Sequence, residues 1–143
     1  MKLYAESSAV LAWLMDEVSA PEIRRLLNAA EIVVASDLTL IECDRALLRA
    51  VAVGELTATE AADCQAHLAS ASAHWQTLRI AQEIVERARQ PFPAEPNRTL
   101  DAIHLASALT ARSAIVGLKL LTLDDRVRKA GKGLGFEVVP GQA

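Results

Sequence analysis

Apolar residues in this chain recur in two rhythms that alternate along its length. KLYAE, EIVVAS, LKLLTL and FEVV are short, nearly continuous apolar runs, as expected of strands buried on both faces. HWQTLRI is a weaker fifth strand. Between these runs the spacing changes to three and four, predicting helices over AVLAWLM, 21–30, 37–53, 57–73, AQEIVERAR, LDAIHLASALTAR and DDRVRKAGKGL. Start and stop signals agree. Ser7-Ser8 caps the first helix, and Pro21 sits in the first turn of the second. Ser36 or Asp37 opens the third, which Gly54 stops. Thr57 and Glu60 form a capping box, Thr99 caps the sixth helix and Asp125 the seventh. PFPAEPNR, with three prolines, reads as irregular loop. Strands alternating with helices imply an α/β fold with a parallel sheet covered on both faces.

Composition narrows this picture. Hydrophobic residues make up 52% of 143 positions and only five are aromatic, so Ala, Leu and Val fill the interior of one domain over residues 1–143. No apolar run reaches membrane-spanning length and no signal peptide is evident, which predicts a cytoplasmic protein without a membrane partner. Cys43 and Cys64 lack metal-site or redox spacing and read as reduced, packed thiols. The net charge of −3 does not mark a nucleic-acid binder, but the charge is unevenly spread. Residues 1–63 carry five basic and eleven acidic residues, whereas residues 64–143 carry ten and seven. Lys119, Arg126, Arg128, Lys129 and Lys132 form either a basic rim for a polyanion or an ordinary solvated face.

Four acids stand where carboxylates are not expected: Glu6, Glu42, Asp101 and Asp124, each embedded in apolar or helix-starting sequence. Glu6 and Asp124 follow strands, at the edge where open α/β sheets bind ligands. Glu42 and Asp101 lie on helices that start near that edge. Each has a plainer explanation. Asp124 can cap a helix, Glu42 can pair with Arg45 or Arg49, Asp101 can complement a helix dipole, and Glu6 can pair with Lys2. Together they point to a pocket for Mg²⁺ or Mn²⁺, which take hard carboxylate oxygens and serve phosphodiester chemistry. Arg98, just before the Asp101 helix, is a phosphate contact or a loop charge. His104, one turn after Asp101, reads as packing or a supporting hydrogen bond. The Ala-rich 57–73 helix is a candidate partner surface.

The stretches LYAESSAVLAWL, LTLIECDRAL, RTLDAIHLASAL and LLTLDDRVRKAGKGLGFEVV resemble the four signature regions of PIN-domain ribonucleases, closest to the VapC-type toxins of toxin–antitoxin pairs. The likeness runs from Lys2 to about Val139. It implies a three-layer α/β/α sandwich with a central parallel sheet, and a metal-dependent endoribonuclease that acts on RNA, often as a homodimer, and is silenced by an antitoxin. Carried over by position, the catalytic acids are Glu6, Glu42, Asp101 and Asp124, with Glu6, Asp101 and Asp124 as metal ligands. Ser8 and Thr122 add hydroxyls that position a ligand or water. One departure stands out: the first acid is usually Asp, and here it is Glu6. The extra methylene shifts the carboxylate by roughly 1 Å, a displacement to which catalysis is sensitive. Metal binding is expected to survive it, with activity reduced or shifted towards Mn²⁺. The alternative is a binding module that keeps the fold and has lost turnover. A phosphoacceptor receiver domain lacks its second acid and late lysine, and no nucleotide-binding glycine motif occurs.

Overall fold

The computed structural model describes residues 1–141. Five strands form one sheet: β1 (Lys2–Ala5), β2 (Ile32–Ser36), β3 (Gln76–Leu78), β4 (Leu118–Leu121) and β5 (Val138–Val139). Their order is β3-β2-β1-β4-β5, and all neighbours run parallel. Seven helices complete the fold: α1 (Ser7–Leu14), α2 (Ala20–Ala29), α3 (Asp37–Ala52), α4 (Ala58–Ser72), α5 (Gln82–Ala88), α6 (Thr99–Ala114) and α7 (Asp125–Gly133). The expected sandwich is therefore the observed one. Alternation along β1 divides the core. Leu3 and Ala5 join α1, Ile23 of α2, Cys43 and Leu47 of α3, and Leu68 of α4 on one face. Tyr4 joins Leu105 and Ala108 of α6 and Val127 of α7 on the other. Both cysteines are buried and free.

The chain builds β1 to β3 outward on one side and then crosses back to place β4 on the other side of β1. The point where the order reverses lies between β1 and β4, and the carboxyl ends of strands at such a point are where open α/β sheets bind ligands. Glu6 follows β1 directly, and Thr122–Asp124 are the three residues leaving β4.

Several expectations change in detail. Strand β4 stops at Leu121, two residues early. The cap of α1 is Glu6, not the serine pair, because its carboxylate accepts the Ser8 N–H. The cap of α6 is Arg98 rather than Thr99, and it offers no side-chain cap. Asp124, not Asp125, caps α7, accepting the N–H groups of Arg126 and Val127. Leu68 of α4 is core, so that helix presents other residues outward. Arg128 does not belong to the basic rim. It is buried, and its guanidinium donates to the Thr122 carbonyl at 2.8 Å and the Pro140 carbonyl at 2.7 Å, tying the exits of β4 and β5 together. Lys119 pairs with Glu137 at 3.2 Å. Of the rim, Arg126, Lys129 and Lys132 are exposed.

Candidate active site

Each acid is placed by local structure before any long-range contact. Glu6 caps α1, Asp124 caps α7, and Asp101 is the third residue of α6. Helix starts supply unsatisfied N–H groups and a positive dipole end, so three of the four carboxylates sit where a negative charge is stabilised. Glu42 lies in the second turn of α3, which is fixed by a Ser36–Thr39 capping box.

Around Glu6 the contacts are hydroxyl-rich. Its Oε2 accepts from the Ser8 N–H at 3.0 Å, from the Thr122 hydroxyl at 2.7 Å, and from the Ser8 hydroxyl. Ser8 Oγ in turn accepts the N–H groups of Leu123 at 2.9 Å and Asp124 at 3.1 Å, so it ties the first acid to the loop that carries the last. Glu6 is buried, and desolvation pushes its carboxyl above its ordinary pKa. His104 and the hydrogen bonds from Ser8 and Thr122 offset that only in part.

Glu42 is organised by His104. Its Oε1 accepts from the Ser7 hydroxyl at 2.7 Å and from His104 Nε2 at 2.5 Å, and Ser7 Oγ lies 3.0 Å from the same ring nitrogen. On the other side of the imidazole, Tyr4 Oη is 2.9 Å from Nδ1. Burial pushes the tyrosine pKa up to about 12, so its hydroxyl keeps its proton. The imidazole is thus held at both ring nitrogens, by Tyr4 at Nδ1 and by Glu42 at Nε2. Burial alone would raise the Glu42 carboxyl, but the bonds from His104 and Ser7 outweigh it and hold its pKa below the usual value. The expected partners Arg45 and Arg49 are not used.

Asp101 and Asp124 share one cation. Arg98 Nε is 3.0 Å from Asp101 Oδ2, and Arg98 Nη2 is 3.0 Å from Asp124 Oδ2. Asp101 is buried, whereas the arginine side chain is 58% exposed and meets the acids from the solvent side. Arg98 is thus neither a free loop charge nor free for a phosphate as it stands.

Of the seven site residues named from sequence, Glu6, Ser8, Thr122, Asp124, Arg98 and Asp101 are joined by an unbroken run of hydrogen bonds and ion pairs, and Glu42 is tied to Ser7, the residue after Glu6. Sequence reasoning missed Tyr4 and underused Ser7. Tyr4 carries a signal, since it is the one polar-tipped side chain on β1 apart from Lys2 and lies two residues before Glu6. Among the described residues, no three His, Cys, Asp or Glu side chains stand close enough to hold an ion as they are. The donor chemistry nevertheless fits Mg²⁺ or Mn²⁺, because every anionic group is a hard carboxylate and the hydroxyls are neutral oxygens. A larger cavity of about 740 Å³ opens between Val85 of α5, Phe92 and Ile103 of α6. It is mainly apolar, and none of the four acids lines it.

Comparison with known proteins gives the same picture. The PIN domain profile matches residues 3–133. The chain is 36% identical over 137 residues to ribonuclease VapC46 of Mycobacterium tuberculosis, covering 96% of this chain and 95% of that one. It is 33% identical over 144 residues to ribonuclease VapC35 of the same organism, covering 100% and 90%. Among solved structures it matches a toxin–antitoxin complex from Klebsiella pneumoniae with a TM-score of 0.65 at 21% identity, with full coverage of both chains. It also matches VapC20 of M. tuberculosis, a toxin that cleaves the sarcin-ricin loop, with a TM-score of 0.64 at 16% identity, covering 90% and 95%. At these identities the structural matches speak for the fold.

Proposed function

This chain belongs to the PIN-domain family, on its VapC branch, and we propose that it is a metal-dependent endoribonuclease, the toxin of a toxin–antitoxin pair. Its reaction is hydrolysis of RNA phosphodiesters with Mg²⁺ or Mn²⁺ in the acidic crevice. We place it in the cytoplasm as one domain over residues 1–143, acting as a homodimer and silenced by a cognate antitoxin. No helix among the described residues is long and apolar enough to cross a membrane. What supports the reading is the linkage of the four acids at the carboxyl edge of the sheet, Glu6 to Asp124 through Ser8 and Thr122, Asp124 to Asp101 through Arg98, and Glu42 through Ser7, in a chain so similar to named ribonucleases.

Glu6, Asp101 and Asp124 would hold the ion, with Glu42 direct or through water. A divalent cation so held supplies an acidified water and neutralises charge that develops on phosphate oxygens. The protein's own groups supply order. Ser8 and Thr122 fix the rotamer of Glu6, and Ser8 also fixes the backbone at Asp124. His104 holds Glu42 through Nε2, and Tyr4 fixes the orientation of the ring at Nδ1. Arg126, Lys129 and Lys132 are the exposed cations left to attract the RNA backbone.

The test is cleavage of a structured RNA pool by partner-free protein with Mg²⁺, with Mn²⁺ and with chelator, beside identically prepared Asp101→Asn. Metal-dependent cuts that vanish in the variant support the reading; cuts that persist in it point to a contaminant and remove the support. A second reading, a binding module with weakened catalysis, is favoured by one observation: the Glu6 carboxylate is engaged with Ser8, Thr122 and the start of α1. A gain of cleavage in Glu6→Asp supports that reading, and equal or lower cleavage counts against it.

A further inference from the structure

Arg98 occupies the N-cap of α6, where Ser, Thr, Asp or Asn would satisfy a first-turn N–H group. It supplies no such cap, and a cation there opposes the positive end of the helix dipole. Helix formation therefore does not account for an arginine at this position. The side chain reaches across the crevice instead, bridging Oδ2 of Asp101 on α6 to Oδ2 of Asp124 at the start of α7, each at 3.0 Å.

We propose that Arg98 is the resident counter-ion of the crevice: it separates the charges of Asp101 and Asp124 while no divalent cation is bound, and such a cation must displace it to bind. This rests on the reading that the crevice takes Mg²⁺ or Mn²⁺. The oxygens such an ion needs are the oxygens that Arg98 now occupies, and two cations do not share them at contact distance. A small divalent ion concentrates its charge at a closer approach than a guanidinium allows, so it wins once present. Displacement costs little, because the guanidinium is already mostly in water. Once released, Arg98 stays tethered at the rim, with its planar fork available to a phosphate. Arginine suits the bridging role better than lysine, because it meets the two acids with separate nitrogens, Nε and Nη2, of one rigid planar fork, whereas lysine carries all its N–H groups on a single nitrogen.

The experiment titrates the full chain with Mn²⁺ in the absence of RNA, following heat by calorimetry and free ion by electron paramagnetic resonance. Arg98→Gln is expected to bind Mn²⁺ about threefold to tenfold more tightly than the parent, and Arg98→Lys to gain less. Arg126→Gln removes one charge from the exposed first turn of α7 and is expected to gain less than about twofold. Equal or weaker binding by Arg98→Gln overturns the proposal, as does an equal gain from Arg126→Gln, which would make the effect one of net charge. Thermal melting gives a readout that survives a loss of stability. In chelator Arg98→Gln is expected to melt below the parent, and excess Mn²⁺ to close the gap; a gap unchanged by Mn²⁺ overturns the proposal. Asp101→Asn separates the two levels. Mn²⁺ binding that is weakened in this variant upholds the crevice as the site, whatever Arg98 does. Binding left intact there sinks both the site and the role of Arg98.

Discussion

The two halves of the acidic crevice hold their charge by different means. Glu6 and Glu42 are fastened by short side chains anchored in the folded core: the Ser7, Ser8 and Thr122 hydroxyls and the His104 imidazole. Asp101 and Asp124 are held by Arg98, a single cation on a long exposed stem. Buried, oriented donors cannot leave without stranding a polar group, whereas a solvated guanidinium can. One half is a fixed wall and the other a site kept ready for exchange.

The largest effect that would break this comparison concerns activity. Asp101→Asn should lower metal-dependent cleavage at least about a hundredfold, the scale on which loss of a central catalytic group is felt. Stability should move by no more than about 1 kcal/mol, since the residue keeps its place in the first turn of α6. Cleavage assays and urea unfolding of the same preparation check the pair of outcomes. A stability loss matching the activity loss would mean that Asp101 belongs to the fixed wall.

Next in size is His104→Ala. The change removes the His104 partner of the Tyr4 hydroxyl and the hydrogen bond to Glu42, and leaves a cavity in the core, so it should cost about 2–4 kcal/mol of unfolding free energy. Arg98→Gln in chelator should cost clearly less, because its ion pairs are exposed. Urea midpoints for the two variants measure the difference, and equal losses would erase the distinction between the halves.

The smallest effect sharpens the fixed half. Glu42 has a lowered pKa, so its stabilisation is present above the unfolded-state value and is lost as pH falls through the lower folded value. Glu6 has a raised pKa. Its protonated form is the one favoured by folding, so stability is present below the unfolded-state value and is lost as pH rises through the higher folded value. In chelator, Glu42→Gln should therefore flatten the acid side of the stability profile, and Glu6→Gln should remove the loss above the ordinary glutamate range. Urea midpoints against pH read both slopes, and identical profiles for the two variants would contradict the assigned environments.

Much of this molecule is written in short-range patterns. The alternation of buried runs with helical spacing determined the strands, most helices and the parallel sheet, because burial and backbone hydrogen bonding act on neighbours within a turn or a pleat. The four acids were legible for the same reason: a carboxylate at a strand end or helix start departs from what its immediate neighbours lead one to expect. Capping was less legible. At Glu6, Arg98 and Asp124 the cap falls one residue from the expected place, because a side chain chosen for the crevice sits where a capping residue would.

Only the tertiary structure decided who holds whom. Tyr4 and His104 are 100 positions apart, Ser7 and Glu42 are 35 apart, and Thr122 and Glu6 are 116 apart. No periodicity couples residues at such separations; the pairing of β1 with β2 brings Glu42 to Ser7, and the return of the chain to β4 on the other side brings His104 and Thr122 to β1 and its end. The same closure took Arg128 out of the basic rim and buried it against two carbonyls. It also turned Arg98 from a loop charge into a bridge between two acids. The sequence determined which groups are charged and which elements carry them. Whether a charge faces water, a carbonyl or another charge depends on packing across the sheet, and that is a property of the folded chain alone.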